Sequence, residues 1–174
     1  MIVDNQVSAA SAAGGGMYIE GSSPQLFHTT MAYNRGGDGS GIYVIDDGWG
    51  VYSVPVFTNT ILFGHTLGII VAAENEVILD ATLWGPQETI GLPYWGGAGE
   101  VTHTRDVWGD VAFIEAYHII TGSAALDAGV VSSVGHDIDG QPRPYQAPDL
   151  GADEFWPPGE IKFIYLPLIM LNMS

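Results

Sequence analysis

The chain has 174 residues, 24 glycines and no cysteine, with 20 acids against four bases and a formal net charge of −16. A hydrophobic share of 47% excludes a disordered acidic tail, and four cations are too few to neutralise a nucleic-acid backbone or to dock on anionic lipid. Without cysteine there is no disulfide scaffold, cysteine zinc site or thiol nucleophile.

Residues 1–16 carry neither a basic region nor a long apolar run, so they do not read as a secretory leader. Beyond them no window of about 12 residues keeps a 3.6-residue apolar period. Short β-branched and aromatic runs between Gly, Asn and Asp predict many short strands instead. Three runs line up: Gly16–Glu20 (GMYIE), Gly41–Ile45 (GIYVI) and Gly68–Ala72 (GIIVA). Each precedes a second apolar run, at Leu26–Met31, Val56–Ile61 and Ile78–Leu83. The copies begin 25 and 27 residues apart, the length of one coil of a parallel β-solenoid. The middle copy carries a five-residue insertion around Asp46–Tyr52.

Alternation along the second runs predicts an inward set: Phe27, Thr29 and Met31, then Phe57, Asn59 and Ile61, then Leu79, Ala81 and Leu83. The other set forms two exposed columns, His28–Thr58–Asp80 and Thr30–Thr60–Thr82. In the first runs, Glu20, Asp46, Asp47 and Glu74 fall four to six residues after their glycine and crowd one edge.

That edge is the first candidate site. Glycosidic cleavage needs two carboxylates about 5–5.5 Å or about 6.5–9.5 Å apart, and a strand spacing of about 4.8 Å supplies such separations. Glu20, Asp46, Asp47 and Glu74 are therefore the candidate catalytic pool, with a solvated acidic turn as the plain alternative. Tyr18, Tyr43, Trp49 and Tyr52 are placed to stack on sugar rings. His28 and Asp80 complete the candidate binding set, although two coils would hold them too far apart for a direct hydrogen bond.

Asp137-Ile-Asp139-Gly140 opens like a calcium loop, with oxygen ligands at alternate positions but no glutamate at the EF-hand distance. Calcium at Asp137 and Asp139 is thus a candidate cofactor, although none is required. The structural alternative is a network in which Arg143, Asp153 and Glu154 pin the last coil. His65, His103, His118 and His136 show no HxH or HExxH spacing, so the sequence predicts no zinc site, and His118 reads as structural. Pro157-Pro158-Gly159 separates a solenoid over 1–156 from an apolar tail over 157–174. Its apolar run of about 11 residues falls short of the roughly 20 that span a bilayer. The tail is expected to pack on the body or on a neighbour.

Five segments carry a family resemblance. They are Val107–Phe113 (VWGDVAF), Tyr117–Ile119 (YHI), Gly122–Gly129 (GSAALDAG), Asp137–Arg143 (DIDGQPR) and Asp149–Glu154 (DLGADE). The series resembles the C-terminal part of bacterial choice-of-anchor Q domain proteins, and Ile164–Leu168 (IYLPL) resembles their chain ends. The resemblance spans roughly residues 14–170. It implies a right-handed, single-stranded parallel β-helix similar to that of pectate lyases, at the cell surface or outside the cell. Such proteins are longer, so it also implies a fragment whose first coil is open.

The expectation is an all-β parallel β-helix of about four to five coils. It would serve as an extracellular module contacting carbohydrate or cell-envelope partners, with no nucleic-acid partner and no transmembrane span. One alternative is a glycoside hydrolase, favoured over a lyase because the chain has so few cations. The other is a structural unit that self-assembles into a homo-oligomer through the open coil or the tail.

Overall fold

The computed structural model describes residues 1–8, 12–36, 40–85 and 94–159. The expected tail over 157–174 therefore lies almost wholly outside the described residues. Among the described residues twelve strands follow one another: β1 (Ile2–Val3), β2 (Gln6–Val7), β3 (Met17–Glu20), β4 (Gln25–Phe27), β5 (Thr30–Ala32), β6 (Arg35–Gly36), β7 (Ser40–Ile45), β8 (Val56–Phe63), β9 (Leu67–Val71), β10 (Glu76–Leu83), β11 (Trp95–Gly97) and β12 (Glu100–Val107). One 3-10 turn, Glu115–Tyr117, is the sole helical element among the described residues. The chain is an all-β parallel β-solenoid of about four turns.

All strand pairs among the described residues are parallel. One sheet runs β1-β5-β8-β10-β12, with β4 beside β8, and a second runs β3-β7-β9-β11. In the second sheet Tyr18, Tyr43, Ile70 and Gly96 form one column, so successive coils are 25, 27 and 26 residues long. Gly16, Gly41 and Gly68 lead into this sheet where side chains from the coil fill the interior. A Cβ on Gly41 would lie 2.8 Å from His65 Nε2, and one on Gly16 would lie 2.8 Å from Asn34 Nδ2. The repeated glycines are thus points of close approach.

The two sheets enclose a core of Ile19, Ile42, Val44, Ile69 and Val71 from one side and Met31, Phe57, Leu62, Val77 and Leu79 from the other, with Trp84 beside them. A second cluster lies outside the first sheet. There Ile61, Ala81 and Leu83 meet Val111, Ile119, Ala125 and Leu150 of the long irregular segment after β12. That segment folds back over the sheet instead of only closing the last coil. Ala152 N–H donates to Thr30 Oγ1 (2.9 Å), and Tyr117 hydroxyl bonds Asp4 of the first coil.

This docking corrects the expected faces. His28, Asn59, Ala81 and Arg105 take positive φ (+47°, +57°, +57°, +54°) at equivalent points of successive coils. Such a residue interrupts the two-residue pleat, so the inward set changes phase across it. Phe57 and Leu79 stay in the interior, while Ile61 and Leu83 turn outward under the folded-back segment. Leu26, not Phe27, pairs with Phe57, so Phe27 points out. Thr30 lies opposite Ile61, and Thr30, Thr60 and Thr82 are all buried, so no exposed threonine column exists.

Candidate functional site

The parallel register brings the ends of β3, β7 and β9 to one edge, and with them Glu20, Asp46, Asp47 and Glu74. The ten residues between β7 and β8 form the projecting loop of this edge. Two aspartates shape it. Asp46 Oδ1 accepts Gly48 N–H (2.7 Å), and Asp47 Oδ1 accepts N–H from Trp49 (2.8 Å) and Val51 (3.0 Å). These are side-chain turns built on the residues' own backbone. The Val51 and Trp49 N–H donors hold the Asp47 carboxyl below the usual carboxylate range. A general acid for glycosidic cleavage needs the opposite shift.

The loop holds Trp49 92% exposed. On the adjoining sheet face, Tyr18 and Tyr43 stack at 5.7 Å with their planes 3° apart, and Tyr18 is half exposed. Tyr52 hydroxyl donates to Glu74 Oε2 (2.8 Å), which holds its ring over the next coil and raises its ionisation above the ordinary tyrosine value. Asp47 lies against Gly21, where an added Cβ would come within 2.7 Å of its own Cβ. The structure therefore brings the four carboxylates to one edge, with Trp49 and Tyr52 on its loop and the Tyr18–Tyr43 stack on the adjoining sheet face.

His28 and Asp80 do not join them. Both belong to the other sheet. His28, predicted on an exposed column, is buried at 6%, because its positive φ turns the ring under the folded-back segment. There its Nε2 lies 3.0 Å from Asn59 Nδ2 and 2.9 Å from Ser132 Oγ, and burial lowers its pKa to about 4. Asp80 stands on the outer column with Thr58 and Thr104. It accepts Nε (2.8 Å) and Nη2 (2.7 Å) of Arg105 and the Thr104 hydroxyl (2.7 Å). The Arg105 bonds hold its carboxyl low.

A second group of polar residues sits in the folded-back segment. Arg143 Nη1 donates to Glu154 Oε2 (2.8 Å) and its Nη2 to Gly151 O (3.0 Å), with both side chains almost fully buried. Asp137 Oδ1 accepts N–H from Asp139 (3.0 Å) and Gln141 (2.7 Å), and its Oδ2 accepts Glu154 N–H (3.2 Å). Asp137 is thus bonded to the turn, whereas Asp139 Oδ2 faces His118 Nδ1 at 3.5 Å. Asp153 Oδ1 lies 3.1 Å from the same nitrogen. Its hydrogen bond holds the His118 imidazole above the ordinary value, while burial raises the Asp153 carboxyl. Sequence reasoning left His118 out of any site, because no short spacing links it to Asp139 or Asp153. Asn59, whose side chain bonds both the N–H and C=O of Val130 at 2.7 Å, carried no signal beyond strand alternation.

Fold and site define a β-solenoid with an aromatic, acidic edge. Comparison of the chain with protein-family models, curated proteins and solved structures finds no match. No helix among the described residues is long and apolar enough to cross a membrane.

Proposed function

We propose that this protein is an extracellular or cell-surface module of the choice-of-anchor Q type that binds carbohydrate or another cell-envelope polymer through Tyr18, Tyr43, Trp49 and Tyr52. The observation that carries this reading is Trp49, 92% exposed on a loop that two aspartates hold in shape. A tryptophan left in water adds little buried area to the fold, and aromatic rings such as exposed Trp49 and the Tyr18–Tyr43 stack suit the apolar faces of sugars. The surrounding carboxylates supply acceptors for sugar hydroxyls and favour neutral or cation-bridged glycans over polyuronates. The hydrolase reading has less support, since Asp46 and Asp47 are engaged in shaping the loop.

Binding to a panel of neutral and acidic cell-wall glycans, followed by affinity electrophoresis and calorimetry, tests the proposal. The expected result is saturable binding, weakened at least about tenfold by Trp49→Ala with an unchanged melting temperature, and no release of reducing sugar. Absence of binding, or equal binding by Trp49→Ala and Tyr18→Ala, would overturn it. Sugar release abolished by Glu74→Gln would replace it with the hydrolase.

A further inference from the structure

We propose that His118, Asp139 and Asp153 form a site for one divalent transition cation of the zinc type. The site is remote in sequence from the aromatic edge and independent of it. The three ligand atoms lie within 4.8 Å of one another, with His118 Nδ1 at 3.1 Å from Asp153 Oδ1 and 3.5 Å from Asp139 Oδ2. A tetrahedral ion with bonds of about 2.0–2.1 Å holds its ligands roughly 3.3 Å apart. The two distances to His118 Nδ1 bracket that value. An imidazole nitrogen between two carboxylate oxygens suits zinc, whereas calcium prefers oxygen ligands alone.

Both carboxylate ligands are aimed by something else. Asp153 is buried, and its Oδ2 accepts Ile119 N–H (2.8 Å), which leaves Oδ1 for the cation. Asp139 follows Asp137, whose Oδ1 ties down the turn through Asp139 and Gln141 N–H. Outer bonds of this kind orient metal ligands. Two carboxylates and a neutral imidazole carry −2, which a divalent cation balances. The neighbouring cation, Arg143, is bonded to Glu154 and Gly151 instead.

The cluster opens on a cavity of about 350 Å³ lined also by Ile114, Gln141, Phe155 and Trp156. Gln141 Oε1 and Trp156 Nε1 are shut off from solvent and have no hydrogen-bond partner. Buried polar atoms without partners are costly, and these two differ in kind: one accepts and one donates. Three protein ligands with one exchangeable position is the coordination that allows a zinc ion to bind a further molecule.

The test uses the full chain stripped with chelator, then titrated with Co²⁺ by absorption and with Zn²⁺ by calorimetry. The expected result is one equivalent bound with micromolar or tighter affinity, cobalt bands of four- or five-coordinate type, and bleaching of those bands by Zn²⁺. Asp139→Asn and His118→Gln should each weaken binding at least about tenfold. The Asp139 side chain is 45% exposed, so its substitution should leave the metal-free melting temperature unchanged. Lack of a single saturable site, or binding unaltered by both substitutions, would overturn the proposal. In that case His118 is a protonated bridge between two carboxylates, and any bound ion sits elsewhere on the acidic surface. Tighter binding of Ca²⁺ than of Zn²⁺ would overturn it equally.

Discussion

Arg143→Ala should be the most damaging single truncation in the folded-back segment. The substitution removes a 2.8 Å bond to Glu154 and a 3.0 Å bond to Gly151 O, with the Arg143 side chain 2% exposed and that of Glu154 0%. Glu154 would keep two N–H donors, from Tyr145 (2.8 Å) and Asp149 (3.1 Å), but would lose its countercharge. Breaking a buried pair by removing one partner costs about 3–5 kcal/mol. The two surviving donors favour the lower end, and the lost bond to Gly151 adds about 1 kcal/mol. A total near 4 kcal/mol lowers the melting temperature by roughly 8–16 °C in a chain of this size. Urea unfolding followed by circular dichroism measures it. Burial already raises the Glu154 carboxyl, and without Arg143 it rises further. The native state then binds a proton that the unfolded state does not, so the deficit should shrink as pH falls from 7 to 5. Pairing Arg143→Met with Glu154→Gln should recover at least half the loss. A deficit under about 1 kcal/mol, or one that does not change with pH, would refute the reasoning.

Three further outcomes are expected. Asn59→Ala should cost about 2–4 kcal/mol, because it strips both backbone partners from Val130, and hydrogen exchange at the Val130 amide should quicken before that of the strands. Gly151→Ala should cost roughly 2–4 kcal/mol in denaturant midpoint, since its φ is +87° and a Cβ would lie 2.5 Å from both Ile61 Cδ1 and Thr30 Oγ1. His28 and His65, both lowered to about 4 by burial, should stay neutral in NMR titration until well below pH 6, and their contribution to stability should be lost as pH falls from about 6.5 towards 4, because only the unfolded state binds the proton there. Asp149, raised to about 7 by burial, has the opposite slope across that window, so the difference between wild type and His65→Gln isolates the histidine term.

The solenoid was legible because its repeat is written in residues that have a mechanical reason to recur. Gly16, Gly41 and Gly68 stand where an interior side chain leaves no room for a Cβ, and the alternating runs after them mark strands. The acidic and aromatic edge followed directly, since strands in parallel register end together. The second sheet was harder. Leu26 and Phe27 are both apolar, so nothing local says which of them pairs with Phe57, and a one-residue slip exchanges the faces.

Sequence by itself thus determined the strand-rich class, the coil length and one edge, because these depend on neighbours within a single coil. Only tertiary structure decided the rest. The residues that switch the pleat, His28, Asn59, Ala81 and Arg105, share no chemistry that announces a positive φ. Burial of Thr30 and of His28 came from a segment about a hundred residues later folding back over the sheet. His118, Asp139 and Asp153 lie 21 and 14 residues apart along an irregular chain. No periodicity links them, and they converge only because that chain closes on itself over the solenoid.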